Sequence, residues 1–595
     1  MTGEKMFERS SQLVNRKFRE YLIPTTLSGV SMMLGIIVDG IIVGMTIGPD
    51  AMAAVSVGDP IVLLYQTIFF LFGMGGATLV SILKGEHNNP KADTSYTVSC
   101  LLLLISSVVI LILGQIFLDN LVGIICNDQS LFDFTHAYVR VLLWGAPFMI
   151  FVPGMVYFIR VDGQPKLSAN ILLIANIVNL VMDLVYIKIF NFGIGGAALA
   201  TVTGYIVGFI FILKYWFSKK RTLHFIKIQY NDFKLTTEIS NSGLAGAVNT
   251  LLLGLKTLCI NLIVMAASGA DGMAVFAVCN FAISFVSMFI VGTSDTMVPL
   301  LGMLYGEKDW QGIRFLLKQA FTVVLISCGI SVALMELFPV QILALFNVTS
   351  TVQVSLGIPA LRIFAFSLIG VSISYTMMYY LQTTKHRNIS VTISVLRGFA
   401  LIVPCVWIFS RFLGLAGILS AYVIAETLTI LITLILCKRA VLKSKGKYSG
   451  IFLYEKPTEE ALYDVTIHSQ IEDAVTISDQ LIDFACTHGI DPTTSNLVGL
   501  MAEEAVVNIT SYNRGEKPLE IDIACRIKPE FIFLSLRDDG KPFDMMSVSP
   551  KEKDHFQCDS ITIINKIAKN VDYARMIGLN NTVIMLERKE NSNEL

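Results

Sequence analysis

Asp39, Asn179, Asp183 and Thr201 all carry side-chain oxygens, and all lie within long apolar runs. A charge at the centre of a bilayer costs roughly 2.5–3.5 kcal/mol on insertion scales, so retained carboxyls need a reason. Asn179 and Asp183 are four residues apart and would share one face of a helix. Two carboxylates, an amide and a hydroxyl suit a hard cation such as Na⁺, or a proton on either acid. The plainer reading is that the acids only tie helices together or sit at the outer interface. A second constellation lies near the C-terminus. Glu504 and Asn508, in Glu503-Glu504-Ala-Val-Val-Asn508, share a helix face and suit a hydrated Mg²⁺. Further on, Asp538 in Arg537-Asp538-Asp539-Gly540-Lys541-Pro542-Phe543-Asp544 could accept from an adenine amino group, while Gly540 lets backbone approach the base.

The elements that must position these groups divide into two kinds. Of 595 residues, 54% are hydrophobic and 15% charged, against about 25% charged in soluble domains. The apolar runs stop near residue 440, and ordinary soluble sequence follows. The net charge of -1 does not point to nucleic acid as a partner. The ten cysteines form no C-x-x-C pair, which argues against zinc or dithiol chemistry. The polar first twenty residues do not form a cleavable leader, so the first apolar run serves as a span.

A span needs about 20 mostly apolar residues. Twelve are expected, near 21–43, 52–81, 95–118, 133–160, 168–189, 193–216, 241–267, 272–304, 316–338, 355–382, 388–410 and 414–436. Each run is continuously apolar, which predicts helices and not a β-barrel. Lys and Arg concentrate in alternate connections, from Lys84 and Lys91 to Lys438–Lys447, with Lys188 and Arg411 as exceptions. This asymmetry predicts an inner-membrane protein with both termini cytoplasmic. On that topology, Asp39, Asp183 and Thr201 all fall in the outer half of the membrane.

The two halves resemble each other. Gly73-Met-Gly75-Gly76-Ala77-Thr78 precedes Lys84-Gly85-Glu86, as Gly292-Thr-Ser-Asp-Thr-Met-Val-Pro299 precedes Tyr305-Gly306-Glu307-Lys308. Six spans per half preserves orientation, so the repeat is parallel, and substrate sites of such transporters lie between halves. Lys256, Glu336, Arg362, Arg397 and Glu426 are further charges at membrane depth. Lys256 and Glu426 look deepest; they would line a substrate cavity or pair with one another. Residues 441–457 read as a basic linker. Beyond it, helices are expected at 470–488, 493–511 and 560–570, and strands at 519–527, 531–538 and 582–588, an α+β order.

Several motifs together are similar to those of the MATE (multidrug and toxic compound extrusion) exporters over about residues 15–440. They are Val38-Asp39-Gly40-Ile-Ile-Val43-Gly44, Arg160-Val-Asp-Gly163-Gln-Pro165-Lys166, Asn176-Ile-Val-Asn179-Leu-Val-Met-Asp183 and Gly193-Ile-Gly195-Gly196-Ala-Ala-Leu-Ala-Thr201. The resemblance implies an all-α polytopic protein of twelve transmembrane helices in two six-helix lobes, residues 1–220 and 221–440, that alternate between inward-open and outward-open states. It implies coupling to Na⁺ or H⁺ through Asp39, Asn179, Asp183 and Thr201, and a bend of span one at Pro24. Some branches place an acid in span seven, where this chain has Lys256. Within an expected domain at 458–595, residues 460–590 resemble the histidine-kinase ATPase superfamily, nearest its anti-sigma-factor serine-kinase branch. That implies a cytoplasmic α+β domain using ATP and Mg²⁺, with Glu504 as catalytic base, Asn508 on Mg²⁺, and Asp538 and Gly540 at adenine. Its glycine-rich lid is missing, since Cys558-Asp559-Ser560-Ile561-Thr562 stands in its place.

No G-x-x-x-x-G-K-[ST] loop occurs, so a P-loop pump is excluded. The expectation is a cation-coupled antiporter exporting organic, cationic or amphipathic compounds, with a regulatory nucleotide-binding-like domain that has a cytoplasmic protein partner. A lipid-linked saccharide flippase is one alternative, disfavoured because the N-half spans carry almost no Arg or Lys. A membrane sensor whose C-terminal domain is a serine kinase is the other.

Overall fold

The computed structural model describes residues 7–456 except 127, 347 and 349, together with 461–514, 519–546 and 564–589. These form two compact units. One is Phe18–Leu83 with Pro90–Tyr454; the other is Met1–Lys17 with Lys84–Asn89 and Glu455–Leu595.

Apolar segments in hydrocarbon must satisfy their own backbone groups, and the apolar segments of the first unit do so as helices. Its first half holds α1 (Gln12–Thr46), α2 (Pro49–Ile68), α3 (Gly75–Gly85), α4 (Asn89–Ile116), α5 (Leu118–Ile125), α6 (Gln129–Val161), α7 (Pro165–Asp183) and α8 (Gly193–Trp216). A π-helical segment, Phe69–Met74, joins α2 to α3, and another, Leu184–Ile189, prolongs α7. The second half holds α9 (Leu235–Gly306), α10 (Trp310–Leu337), α11 (Pro339–Leu345), α12 (Thr351–Thr383), α13 (Arg387–Val395) and α14 (Ile402–Lys443).

Ten helical stretches among the described residues are long and apolar enough to span a bilayer. Two are far too long for one crossing. Tyr230–Gly306 has 77 residues, or about 115 Å at 1.5 Å per residue, against about 30 Å of hydrocarbon. Each long stretch contains one glycine outside the helical region, Gly269 (φ 59°, ψ -159°) and Gly414 (φ 54°, ψ -132°). A β-carbon would clash with the backbone there, so glycine permits the break. Split at these points, the ten stretches become twelve spans, with breaks where the sequence divides spans seven from eight and eleven from twelve.

Two separate apolar cores follow the sequence repeat. One gathers residues between Val43 and Ile239, the other residues between Ile260 and Ala425. They define the two six-helix lobes. The repeated glycines sit where the lobes touch. A β-carbon on Gly75 would strike the carbonyl of Ile239, one on Gly302 would strike Ser81 Oγ, and one on Gly292 would lie 2.8 Å from Thr26 Oγ1. Short helices α5 and α11 follow the third span of each half. At 8 and 7 residues they are too short for hydropathy to reveal.

After α14 come two-residue strands β1 (Tyr448–Ser449) and β2 (Tyr454–Glu455). The second unit is an antiparallel sheet in the order β3-β4-β5-β7-β6, made of β3 (Ala461–His468), β4 (Glu520–Ile527), β5 (Phe531–Asp538), β6 (Asn570–Met576) and β7 (Leu579–Glu587). Helices α15 (Ile471–Thr487) and α16 (Pro492–Tyr512) pack together over it. Val465, Ile477, Met501, Ile523, Leu534 and Ile584 belong to their shared core. Asp491 caps α16 by accepting from the backbones of Thr493 and Thr494, at 3.0 and 3.1 Å, with Pro492 opening the helix. Strands β3 and β6 were not expected from sequence. Both occupy sheet edges, where one-sided pairing leaves a weak pattern. The expected helix at 560–570 is helical at 564–567 and enters β6 at Asn570; residues 560–563 lie outside the described residues.

The second unit also takes in the start of the chain. The Thr466 backbone donates to the Glu8 carbonyl at 3.2 Å, and Phe7 packs against the core. Arg9 is buried between Asp464, at 3.3 Å, and Asp522, with Arg537 on the other side of Asp522 at 3.0 Å.

Gly269→Ala is expected to destabilise the protein by about 1–3 kcal/mol, the cost of a residue held in a glycine-only region. Gly329→Ala, at an α10 position where a β-carbon meets nothing, should be neutral or slightly stabilising. Thermal unfolding of the two variants in detergent checks the contrast.

Candidate functional site

The first-lobe site is built by α1, α7 and α8. Gly204 on α8 packs so closely on α7 that a β-carbon there would strike the Ala175 carbonyl and lie 3.3 Å from Asn179 Cβ. That contact brings Thr201, one turn earlier, beside Asn179. Asn179 Nδ2 donates to Asp183 Oδ2 at 3.4 Å and to Thr201 Oγ1 at 3.2 Å. Asp183 is fully buried. The Asp39 and Asp183 carboxyls are near enough to act on each other electrostatically. One oxygen of each, Asp39 Oδ1 and Asp183 Oδ1, is buried with no hydrogen-bond partner among the described residues. One turn away, Gly35 on α1 faces Asn176, whose amide donates to Ser31 Oγ at 3.3 Å. Asp183 also stands where α7 widens into its π-helical extension, a form common at functional sites.

The structure therefore brings Asp39, Asn179, Asp183 and Thr201 into one cluster. Their donor set fits Na⁺ or a shared proton, because unpaired carboxyl oxygens in a dry site call for a cation. Among the described residues no group of three His, Cys, Asp or Glu could hold a multivalent metal. Pro24 lies inside α1, which remains helical through it. Two neighbours escaped sequence reasoning. Buried Tyr138, on α6, lies within electrostatic range of Asp39, Asp183 and Asp59, and Asp59 is exposed on α2. Asp59 is an acid inside the second expected span, a signal available in the sequence.

A second unanticipated feature joins the lobes at the end bearing the basic connections. Arg160 on α6 pairs with Asp295 on α9 at 3.0 Å, with side chains only 4% and 11% exposed. Arg160 Nε also donates to Ser168 Oγ at 3.0 Å, and Tyr157 Oη donates to Asp295 at 3.4 Å. Residues 135 apart give no local signal of such pairing, although Asp295 lies in the repeated motif.

In the second lobe Glu426 pairs with Arg397 at 3.5 Å and accepts from Ser374 Oγ at 2.6 Å. No ion pair joins Glu426 to Lys256 among the described residues; Arg397, from the neighbouring π-helical segment Leu396–Ala400, reaches the carboxylate instead. Glu336 and Arg362 form a separate, half-exposed pair at 3.5 Å.

In the second unit, Glu504 and Asn508 lie on α16, with Asn508 buried. Asp538 ends β5, and its Oδ1 accepts from the Gly540 backbone at 2.8 Å and from Asn580 Nδ2 at 2.9 Å. Arg575 donates to Asn580 Oδ1 at 2.6 Å and so fixes that amide. With both bonds on Oδ1, Oδ2 is left for an exocyclic amino group. Burial pushes the Asp538 carboxyl up to about 6. The stretch Cys558–Thr562 lies outside the described residues.

A two-lobed helical membrane scaffold with a cluster of buried acids between helices of one lobe suits a secondary transporter. The MatE family profile matches residues 24–185 and 247–408, one segment per lobe, and this chain belongs to that family. Residues 467–586 match the histidine kinase-like ATPase domain. The chain is 23% identical over 432 residues to the multidrug export protein MepA of Staphylococcus haemolyticus, covering 72% of this chain and 94% of that protein. It is 24% identical over 347 residues to the probable multidrug resistance protein YoeA of Bacillus subtilis, covering 57% and 75%. An outward-facing structure of a multidrug resistance MATE family transporter superposes with a TM-score of 0.68 at 22% identity, covering 74% of this chain and all of that one.

Removing one partner of the Arg160–Asp295 pair leaves an uncompensated buried charge, which costs about 3–5 kcal/mol. Arg160→Gln and Asp295→Asn are each expected to lower stability on that scale. The double variant should recover most of the loss, a coupling that a double-mutant cycle in thermal unfolding measures.

Proposed function

We propose that the protein is a secondary antiporter that exports organic, cationic or amphipathic compounds in exchange for Na⁺ or H⁺, by alternating access of its two lobes. The observation that carries this reading is the pair of facing carboxyls, Asp39 and Asp183, each with a buried oxygen lacking a partner. A bound cation or proton compensates them; its release leaves two negative groups in a low-dielectric site, and repacking of α1 against α7 relieves that cost. Pro24 removes one backbone hydrogen bond from α1 and gives the helix a place to bend. The names of the bacterial relatives support a multidrug range. The basic connections support an inner-membrane orientation with both termini cytoplasmic.

The C-terminal domain regulates this cycle. ATP would sit with its adenine amino group on Asp538 and its base against the backbone at Gly540. Mg²⁺ would lie at Asn508, with Glu504 on the same helix face. Arg16, on the second turn of α1, pairs with Asp539 at 2.7 Å. A base seated on Asp538 therefore acts beside a group tied to the helix that carries Pro24 and Asp39. A protein partner of this domain would act through the same contact.

Everted vesicles test the export reading. Asp39→Asn and Asp183→Asn are each expected to cut ion-driven dye transport by tenfold or more at unchanged protein level; undiminished coupled transport in both would overturn it. Nucleotide binding is tested on the full chain with a fluorescent ATP analogue. With the Asp538 carboxyl near 6, only about a tenth is ionised one pH unit lower, so affinity should fall about tenfold between pH 7 and pH 5. A folded pKa above the ordinary 3.8 also means that this group loses stabilising effect as pH rises through 6. Asp538→Asn is accordingly expected to unfold no earlier than the parent at neutral pH while losing the nucleotide.

A further inference from the structure

Around Glu426 in the second lobe, cations outnumber acids, the reverse of the Asp39–Asp183 cluster in the first. Lys256 on α9 lies within electrostatic range of both Arg397 and Glu426, and one turn before it Leu252 packs on Gly398, where a β-carbon would lie 3.0 Å from Leu252 Cβ. Two cations thus share one carboxylate. That carboxylate is already committed. Glu426 Oε2 accepts from Ser374, and Oε1 stands 3.5 Å from Arg397 Nε, an ion-pair distance too long for a good hydrogen bond. Its position is also fixed, since a β-carbon on Gly370 would lie 2.7 Å from Glu426 Cβ. The Arg397 side chain is 10% exposed, yet Nε and Nη1 are buried without a hydrogen-bond partner. The Tyr375 ring covers one face of its guanidinium at 4.9 Å, which does not satisfy the in-plane donors. No ion pair or hydrogen bond engages Lys256 among the described residues.

An arginine with two unmade bonds, beside a second cation and a carboxylate turned elsewhere, is an incomplete site for an anion. Its planar fork fits a carboxylate or phosphate bidentately. The cluster also borders groups at the seam between the lobes. Tyr375 Oη lies 3.4 Å from Tyr379 Oη, and Tyr379 lies within electrostatic range of Asp295 and Tyr157. We infer that Lys256 and Arg397 form a subsite for an anionic group of the exported solute, so that the preferred substrates carry a carboxylate or phosphate on an apolar body. This rests on the export reading and narrows it, since a purely cationic compound would leave the Arg397 donors unmade.

The test uses the purified full chain and two matched fluorophores, a rhodamine with a free carboxylate and its ethyl ester, which lacks only the anion. Binding is followed by fluorescence anisotropy and transport in proteoliposomes under an imposed Na⁺ or pH gradient. The free acid should bind about tenfold more tightly than the ester, the scale of one charge-assisted hydrogen bond. Arg397→Gln and Lys256→Met should each abolish that preference, so that acid and ester bind alike, and Arg397→Lys should keep part of it. Glu426→Gln should strengthen binding of the acid, a gain that misfolding cannot produce. Equal binding of both dyes, or a preference that survives Arg397→Gln and Lys256→Met, would overturn the subsite while leaving ion-coupled export of the ester intact. Transport of neither dye under either gradient would overturn the export reading and the subsite together.

Discussion

A charge within hydrocarbon must be paired, compensated or put to use, and the membrane half of this molecule is arranged around that constraint. It meets the constraint in three ways. In the first lobe, among the described residues, no ion pair engages Asp39 or Asp183, and Asp183 accepts only from the Asn179 amide, which also donates to Thr201. At the seam between lobes Arg160 and Asp295 neutralise each other. In the second lobe Lys256 and Arg397 outnumber Glu426. Only the middle arrangement is electrically complete. On the proposed reading the first would take up a small cation and the last an anionic group of the solute. A solute exchanged for an ion is the simplest process that satisfies both in turn.

The complete pair has a different consequence. It joins α6 of one lobe to α9 of the other amid glycine contacts close enough to exclude any side chain. Breaking it during a rocking motion is costly unless both charges find new partners together. That suits a seam with two discrete states and no stable middle. On the soluble side, the start of the chain is pinned by Arg9 in the acidic pocket of Asp464 and Asp522 and by Arg16 at Asp539. The helix beginning there is the same α1 that ends beyond Asp39, so the chain runs directly from that anchor to the first-lobe acid.

Much of this was legible in the sequence, for identifiable reasons. Spans are continuous apolar runs, and the breaks at Gly269 and Gly414 fall between expected spans because reversing a helix needs a residue free of a β-carbon. Asp39 and Asp183 stood out because acids are rare in such runs. Long-range pairing was invisible: nothing local ties Arg160 to Asp295, Arg397 to Glu426, or Arg9 to Asp522. Lys256 and Glu426 were recognised as deep charges, but the nearer ion-pair partner, Arg397, enters from a π-helical segment whose altered face no helical periodicity foretells. Edge strands β3 and β6 were missed because each is paired on one side only.

The central claim is that the facing carboxyls exchange their small cation when solute binds. Difference infrared spectroscopy reads this directly, as the change in carboxyl and carboxylate bands when an exported dye is added to the reconstituted protein. Exchange requires a band change in the parent protein that disappears in both Asp39→Asn and Asp183→Asn. A dye that binds with no change in these bands, or with a change that persists in both variants, would contradict it.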